Sequence, residues 1–172
     1  MEQSAKGMLQ TAMQYGTNLG VFWIIAFVVY IISITTTELS MLFLLMLAAS
    51  PIYAGYLGMK YRKRECENRI GFLNAWAFMI IVYICASALS AIACYVYFYF
   101  IDGGTMLAAF KEQIDIYTSM EEIGDEMKKA FNETYDILSK LNASDICIQY
   151  FTSNLFISSI LAPLTSLFIY KK

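Results

Sequence analysis

The side chains of this chain that could do chemistry are few, and their spacing fits no reactive set. There is no histidine, which excludes histidine-based catalysis and histidine metal sites. The four cysteines are Cys66, Cys85, Cys94 and Cys147, and they lack the C-x-x-C pairing of thiol oxidoreductases. We interpret them as small apolar side chains. The sequence therefore predicts a protein that is not an enzyme and that holds no metal and no cofactor.

Three asparagines are the most polar side chains within the apolar parts of the chain: Asn18, Asn74 and Asn154. No Asp, Glu, Lys or Arg lies beside them in the long uncharged stretches, and ion-coupled transport usually needs such groups. We expect these amides to form hydrogen bonds between helices or to lie at the membrane interface. A role in binding a ligand is the alternative.

The elements that position these side chains follow from where charge is missing. Apolar residues make up 59% of the 172 residues and charged residues 15%, against roughly 45–50% and 25% in an ordinary soluble domain. The charges leave four uncharged stretches, 7–37, 39–59, 70–101 and 146–170. Each can hold one helix of the ~20 residues that cross a bilayer. This composition argues against a soluble domain, a disordered chain and a nucleic-acid-binding protein.

The predicted fold is an all-α integral membrane four-helix bundle in which residues 1–172 form a single membrane domain. Backbone groups in lipid must be bonded within their own segment, so the crossings should be helices. An interfacial helix is expected over residues 1–15, and an amphipathic helical insert over 103–144. The crossings are expected at about 18–34, 39–58, 74–97 and 148–168.

Basic residues predict the orientation of the bundle. A basic loop between the second and third crossings carries five of them, and Lys6, Lys171 and Lys172 share its side. That side has a net charge of +5, and the other side has −7. The positive-inside rule then places both termini in the cytoplasm and the insert outside it. The five residues of the loop are Lys60, Arg62, Lys63, Arg64 and Arg69.

The insert has apolar residues every three or four positions from Leu107 to Leu141, which is typical of one helical face. We expect a helical hairpin or a bent helix that buries this face against the outer end of the bundle. Ser144 or Asp145 is expected to cap the fourth crossing. The acidic outer face is a possible partner-binding face, formed by Glu121, Glu122, Asp125 and Glu126.

Small residues and prolines mark where the crossings should pack and bend. Small side chains let helices approach closely, either within one bundle or between the copies of a homodimer. Pro51 and Pro163 each remove a helical hydrogen bond and predict kinks, which are either ordinary kinks or kinks around a central cavity. The helix-packing positions are Gly16, Gly20, Ala54, Gly58, Ser87 and Ser90.

Several short motifs, in this order and spacing, resemble a bacterial membrane-protein family known as domain of unknown function 4199. Many of its members have proline where this chain has Gly103. The resemblance implies a four-helix protein of the inner membrane of Gram-negative bacteria, and it brings no catalytic residue. The motifs are Tyr15-Gly16-Thr17-Asn18-Leu19-Gly20, Pro51-Ile52-Tyr53, Tyr61-Arg62, Gly71-Phe72-Leu73-Asn74-Ala75-Trp76-Ala77-Phe78 and the run from Tyr95 to Gly104.

Three functions fit these features. We expect a non-enzymatic accessory or scaffold subunit of an envelope complex, which contacts the lipid bilayer and either another envelope membrane protein or a second copy of itself. A small transporter or lipid-handling protein is the alternative, based on the prolines and the membrane-level asparagines. A membrane enzyme acting on lipid-linked substrates would need polar groups such as Arg62, Arg64, Arg69 and Asn74 to converge at one interface.

Overall fold

The computed structural model of the chain describes residues 2–36, 38–119 and 124–171. Across these residues the chain is helical almost throughout. Four of the helices are long and apolar enough to cross a membrane, which confirms the all-α four-crossing prediction. The helices are α1 Glu2–Thr35, α2 Glu38–Glu65, α3 Phe72–Val96 with a π-helical turn at Tyr97–Ile101, α4 Thr105–Thr118, α5 Asp125–Leu138 and α6 Ala143–Ile169.

The first crossing extends further than the charge pattern predicted. Helix α1 runs without interruption from Glu2 through the segment expected to be a separate interfacial helix. No proline interrupts it, and Gly16 and Gly20 are accommodated within the helix because neighbouring helices pack against them. The first crossing therefore belongs to a single rod of 34 residues.

Helix α3 is the centre of the bundle. It packs along α1 on one side and along α6 on the other. Helix α2 closes the ring through contacts with α1 and α6 and meets α3 over a much smaller area. Two of the α2–α3 contacts lie near the end of the bundle that carries the basic loop. We call this the inner end, and the opposite end, which carries the insert, the outer end. At the inner end the rings of Tyr61 and Phe78 stack with centroids 3.8 Å apart, and Gly58 lies beside Met79.

The six predicted helix-packing residues all lie buried inside the bundle of one chain. Gly16 lies where a Cβ atom would be 2.5 Å from Cys85 Cβ and 2.9 Å from the carbonyl oxygen of Val82. Gly20 faces Leu89 and Ala86 in the same way, one turn further along α1. The absence of a side chain at these two positions is what brings α1 onto the backbone of α3.

The insert forms two helices whose apolar faces have different surroundings. Ile114 of α4 is 4% exposed, and α4 contacts the outer end of α1. In α5, by contrast, Met127 is 56% exposed and Leu138 is 36% exposed. A stacked pair, Tyr117 and Phe131, joins the two helices with centroids 6.2 Å apart, and Tyr117 is itself 49% exposed. Ile114 of the predicted stripe is therefore buried, but the expectation that the bundle buries the whole stripe is wrong for Tyr117, Met127 and Leu138.

The start of α6 is capped by a residue other than the two predicted. The Asn142 side chain accepts a hydrogen bond from the Asp145 N–H at 3.0 Å, and the Asp145 carboxylate accepts one from the Asn142 N–H at 3.1 Å. This reciprocal arrangement is a capping box. Asp145 thus takes part as the third residue of the helix, and the prediction of Ser144 as the cap was wrong.

The close contact of α1 with α3 gives a stability prediction. We expect Gly16→Ala to lower the free energy of unfolding by ~1–3 kcal/mol, because the added methyl meets backbone that cannot move aside without shifting a helix. Thermal unfolding in detergent micelles, followed by circular dichroism, measures the change. Gly55→Ala is the matched control, since nothing lies within 4 Å of a Cβ at that position. Equal losses in the two variants would contradict the prediction.

Candidate functional site

An apolar cavity of about 580 Å³ lies between the four crossings. All four contribute to its wall, together with the first turn of α4. Seven of the eighteen described lining residues are aromatic, and none of these eighteen is charged. Leu47 and Ile157 are 58% and 53% exposed, so the cavity is partly open to the outside of the bundle. The wall is formed by Phe22, Trp23, Ala26, Phe27, Tyr30, Phe43, Met46, Leu47, Ser50, Pro51, Cys94, Phe98, Met106, Ile146, Tyr150, Asn154, Ile157 and Leu161.

The helices contact one another through different kinds of residue at the two ends of the bundle. Gly58 and Ala54 let α2 approach its neighbours toward the inner end, where Tyr61 reaches Phe78. Toward the outer end, bulky rings fill the contacts between helices. Tyr30 of α1 packs against Phe43 of α2 with centroids 5.1 Å apart. Both rings also line the cavity.

The polar groups in the cavity wall are few and well defined. Trp23 donates a hydrogen bond from Nε1 to Ser50 Oγ at 2.7 Å, which ties α1 to α2. Pro51 has no N–H, so the carbonyl of Leu47 lacks its usual helical donor. The Nδ2 atom of Asn154 is buried and has no hydrogen-bond partner in the described part of the protein. The wall therefore holds one hydrogen-bond donor without a partner, on Asn154, and one backbone carbonyl without its helical donor, on Leu47.

A second cavity of about 620 Å³ adjoins the first at the outer end. The two share Tyr30, Phe98, Met106 and Ile146 in their walls. The second cavity is the more polar of the two, and helix α4 and the segment after α5 form much of its wall. Its polar lining residues are Ser33, Ser40, Asp102, Gln113 and Ser139.

Asp102 is 8% exposed, and its carboxylate organises the turn between α3 and α4. The carboxylate accepts hydrogen bonds from the N–H groups of Gly104 and Met106, both at 3.0 Å, and from the Tyr97 hydroxyl at 3.3 Å. Gly103 has a φ angle of 53°, which proline cannot adopt. Asp102 is thus a structural residue of the turn that leaves α3. A chain with proline at position 103 cannot form the turn in this conformation.

A line of unpartnered polar groups runs along the contact between α3 and α6. Besides Asn154, the hydroxyls of Ser87 and Ser158 are buried without hydrogen-bond partners among the described residues. The buried Tyr83 hydroxyl, one turn from Ser87 on α3, interacts with Thr165 of α6, and Asn154 and Ser158 lie one turn apart on α6. This polar seam begins at the cavity wall and continues into the buried helix contact.

Of the five residues predicted in the basic loop, Lys60, Arg62, Lys63 and Arg64 lie in the last two turns of α2, and Arg69 alone lies in the connection to α3. We keep the name basic loop for this group, which is partly buried and partly exposed. Arg62 donates a hydrogen bond from Nη1 to the carbonyl of Ile169 at 2.8 Å, where cationic charge is favourable to the C-terminal end of α6. Ile70 and Lys171 exchange backbone hydrogen bonds of 2.9 and 3.2 Å beside it. Lys60 lies over the Tyr15 ring at 5.9 Å. The exposed members of the loop are Lys63, Arg64 and Arg69.

The remaining sequence-predicted residues lie apart from the cavity or outside the described residues. Asp125 and Glu126 are exposed in the first turn of α5, whereas Glu121 and Glu122 fall outside the described residues. Pro163 lies within α6, which continues past it. Among the described residues, no three metal-ligating side chains converge.

Cys147 links two of the crossings through its thiol. Its Sγ atom donates to the carbonyl of Ala91 at 3.2 Å, which joins α6 to α3. All four cysteines are free thiols in the structure.

The chain matches the family described as protein of unknown function (DUF4199) over residues 14–171. Because this match spans nearly the whole chain, the chain belongs to that family. No curated protein matches the chain. No solved structure matches it either.

The bond between Arg62 and α6 gives a second prediction. We expect Arg62→Gln to lower the free energy of unfolding by ~1.5–3 kcal/mol, because a charge-assisted bond between two crossings is lost. Arg64→Gln is the control, since this exposed side chain should change stability by less than ~0.5 kcal/mol. Chemical unfolding in mixed micelles compares the two. If both variants unfold like the parent protein, Arg62 belongs to the surface with the rest of the basic loop.

Proposed function

We propose that this DUF4199 protein is a lipid-handling membrane protein that holds a neutral, largely apolar molecule between its four crossings. The observation that carries this proposal is the apolar cavity of about 580 Å³. Its volume lies within the range of ~300–1,000 Å³ typical of small-molecule sites. Its wall combines an apolar surface with a few polar groups, as such sites usually do.

The chemistry of the wall defines the class of molecule. No charged side chain lines the cavity among the residues described, so an ionic group would remain unpaired there at high cost. An empty cavity of this size would also deprive its lining atoms of dispersion contacts. Membrane lipids are the most abundant neutral apolar molecules available to a bundle in a bilayer. An acyl or isoprenoid chain fits both requirements.

We also propose an orientation in a bacterial inner membrane, with both termini in the cytoplasm. The net charges of +5 and −7 on the two sides support it through the positive-inside rule. In this orientation the basic loop lies inside, and the insert lies on the opposite side. The two cavities then face the outer leaflet, from which the bound lipid would come.

An accessory role in an envelope complex is a second candidate function, and the surface of α5 favours it. Met127 and Leu138 are 56% and 36% exposed on the apolar face of a strongly amphipathic helix. Acidic residues such as Asp125 and Glu126 flank this apolar face. A partner with an apolar strip and basic edges would complement both features. Lipid handling and complex formation are compatible, because the cavity and the α5 face are different surfaces.

Trp23 makes the cavity measurable. The chain has two tryptophans, and Trp76 is 38% exposed on α3, so the Trp76→Phe chain reports from the cavity wall alone. We expect lipids with brominated acyl chains to quench its fluorescence with a saturable component. Filling the cavity with Ala26→Phe should abolish that component. Quenching that rises linearly with bromolipid content, as for simple bilayer contact, would refute the proposed function.

Two controls accompany this titration. Ala77→Phe adds the same ring to an exposed position on α3 and should leave the saturable component unchanged. The Trp23→Phe chain, with Trp76 as its only tryptophan, gives the non-specific quenching at the lipid-facing surface. A saturable component in that chain would show that the signal does not come from the cavity.

The α5 face gives a prediction for both the orientation and the accessory role. In intact cells, Ile137→Cys should react with a membrane-impermeant maleimide, because this exposed position is expected outside the cytoplasm. A maleimide that carries a benzophenone, attached at this cysteine, should also crosslink on illumination to one defined membrane protein, because the photoactivated ketone inserts into C–H bonds and needs no partner thiol. The parent chain, with its own four cysteines, gives the background. Labelling that requires cell lysis would show that the insert lies in the cytoplasm and refute the proposed orientation. Failure to crosslink to any one defined protein would refute the accessory role.

A further inference from the structure

We infer that the molecule held in the cavity carries a flat conjugated ring with a carbonyl oxygen, as membrane quinones do, and that Asn154 donates a hydrogen bond to that oxygen. This inference rests on the proposed function and adds the class of ligand. Its two supports are the unpartnered amide of Asn154 and the aromatic character of the wall.

The amide of Asn154 points to an acceptor on the ligand. Its Nδ2 atom is buried, and no acceptor in the described residues bonds to it. A buried donor without a partner costs free energy that a bound acceptor would recover. Asn154 lines the cavity, and the terminal torsion of asparagine is broad, so its amide can turn toward a ligand at little cost. The complementary group is a neutral oxygen acceptor.

The aromatic wall indicates that the ligand has a ring and is not a simple acyl chain. Seven of the eighteen lining residues are aromatic, and they come from all four crossings. Several are held in place by neighbouring rings: Phe27 packs against Tyr150 at 6.0 Å, and Tyr30 packs against Phe43 at 5.1 Å. Rings fixed in this way offer preorganised faces and edges to a flat π system. A saturated chain has no π system with which to use that geometry.

The absence of charged lining residues and the position of Asn154 along α6 narrow the class of ligand further. The absence of charge among the described lining residues excludes phosphate head groups from the wall. Asn154 lies eleven residues into α6, and at 1.5 Å per residue this is ~16 Å below the outer end of that helix. The acceptor would therefore lie well inside the fourth crossing, away from its outer end. Glycerolipid ester carbonyls lie at the interface, whereas a quinone ring is neutral and apolar enough to reach this depth.

Trp23 fluorescence in the Trp76→Phe chain tests the inference. A benzoquinone with a short alkyl tail should quench Trp23 with a saturable component. Asn154→Leu, which keeps the side-chain volume and removes the donor, should weaken quinone binding about five- to tenfold. The same substitution should leave binding of the brominated acyl lipid unchanged. Asn74→Leu, at an exposed position on α3, is the matched control and should change neither affinity.

The outcomes separate this inference from the proposed function. If the bromolipid binds with saturation but the quinone does not, or if Asn154→Leu weakens both equally, the quinone inference is overturned and lipid handling stands. If neither ligand gives a saturable signal, both proposals fail.

A second measurement uses the unmutated chain and does not depend on how the variant folds. The infrared carbonyl band of a ¹³C-carbonyl quinone should move to lower frequency when the quinone is bound, because a hydrogen bond weakens the carbonyl bond. An unshifted band under saturating conditions would also overturn the role of Asn154.

Discussion

The bundle depends on how closely α1 lies against α3. Gly16 and Gly20 expose α1 backbone to Val82, Cys85 and Ala86, so the two helices meet with almost no side chain between them. In lipid, where helices gain little from the hydrophobic effect, such contacts supply much of the packing energy. Helix α6 joins the other side of α3 through small and hydroxyl-bearing residues. With these three helices fixed, the position of α2 decides whether the bundle is solid or hollow.

Helix α2 is held tightly at one end and loosely at the other. At the inner end, Gly58 lies against Ile169 and Met79, and the aromatic pair Tyr61 and Phe78 closes the contact. At the outer end, α2 meets α1 through the rings of Tyr30 and Phe43, and Leu44 and Leu45 face outward. The cavity is the geometric result of that difference. No single residue forms it, which is why it appears only when the helices are assembled.

The sequence predicted the crossings well, because the cost of burying charge in lipid leaves a direct mark on the chain. The uncharged stretches located all four long helices. The positions of Asn154 and Pro51 in a cavity wall were harder to predict, because a helical sequence gives the face of a residue but not the distance to the next helix. Arg62 shows the same limit. In the sequence it resembles the four other basic residues near it, but its hydrogen bond to Ile169 forms only because two distant segments of the chain meet. For α5, periodicity showed an apolar stripe without showing what covers it.

The π-helical turn at Tyr97–Ile101 has a consequence for the evolution of the family. A π turn holds about one residue more than an α turn, so the chain beyond it is rotated by roughly 100° relative to a continuous α-helix. That rotation sets the direction in which Asp102 and the whole insert leave the bundle. A relative without the extra residue would show a one-residue gap in an alignment here. Such a deletion would alter the shape of the outer cavity while leaving every apolar stretch intact, so relatives with indistinguishable hydropathy profiles would differ in the space between their helices.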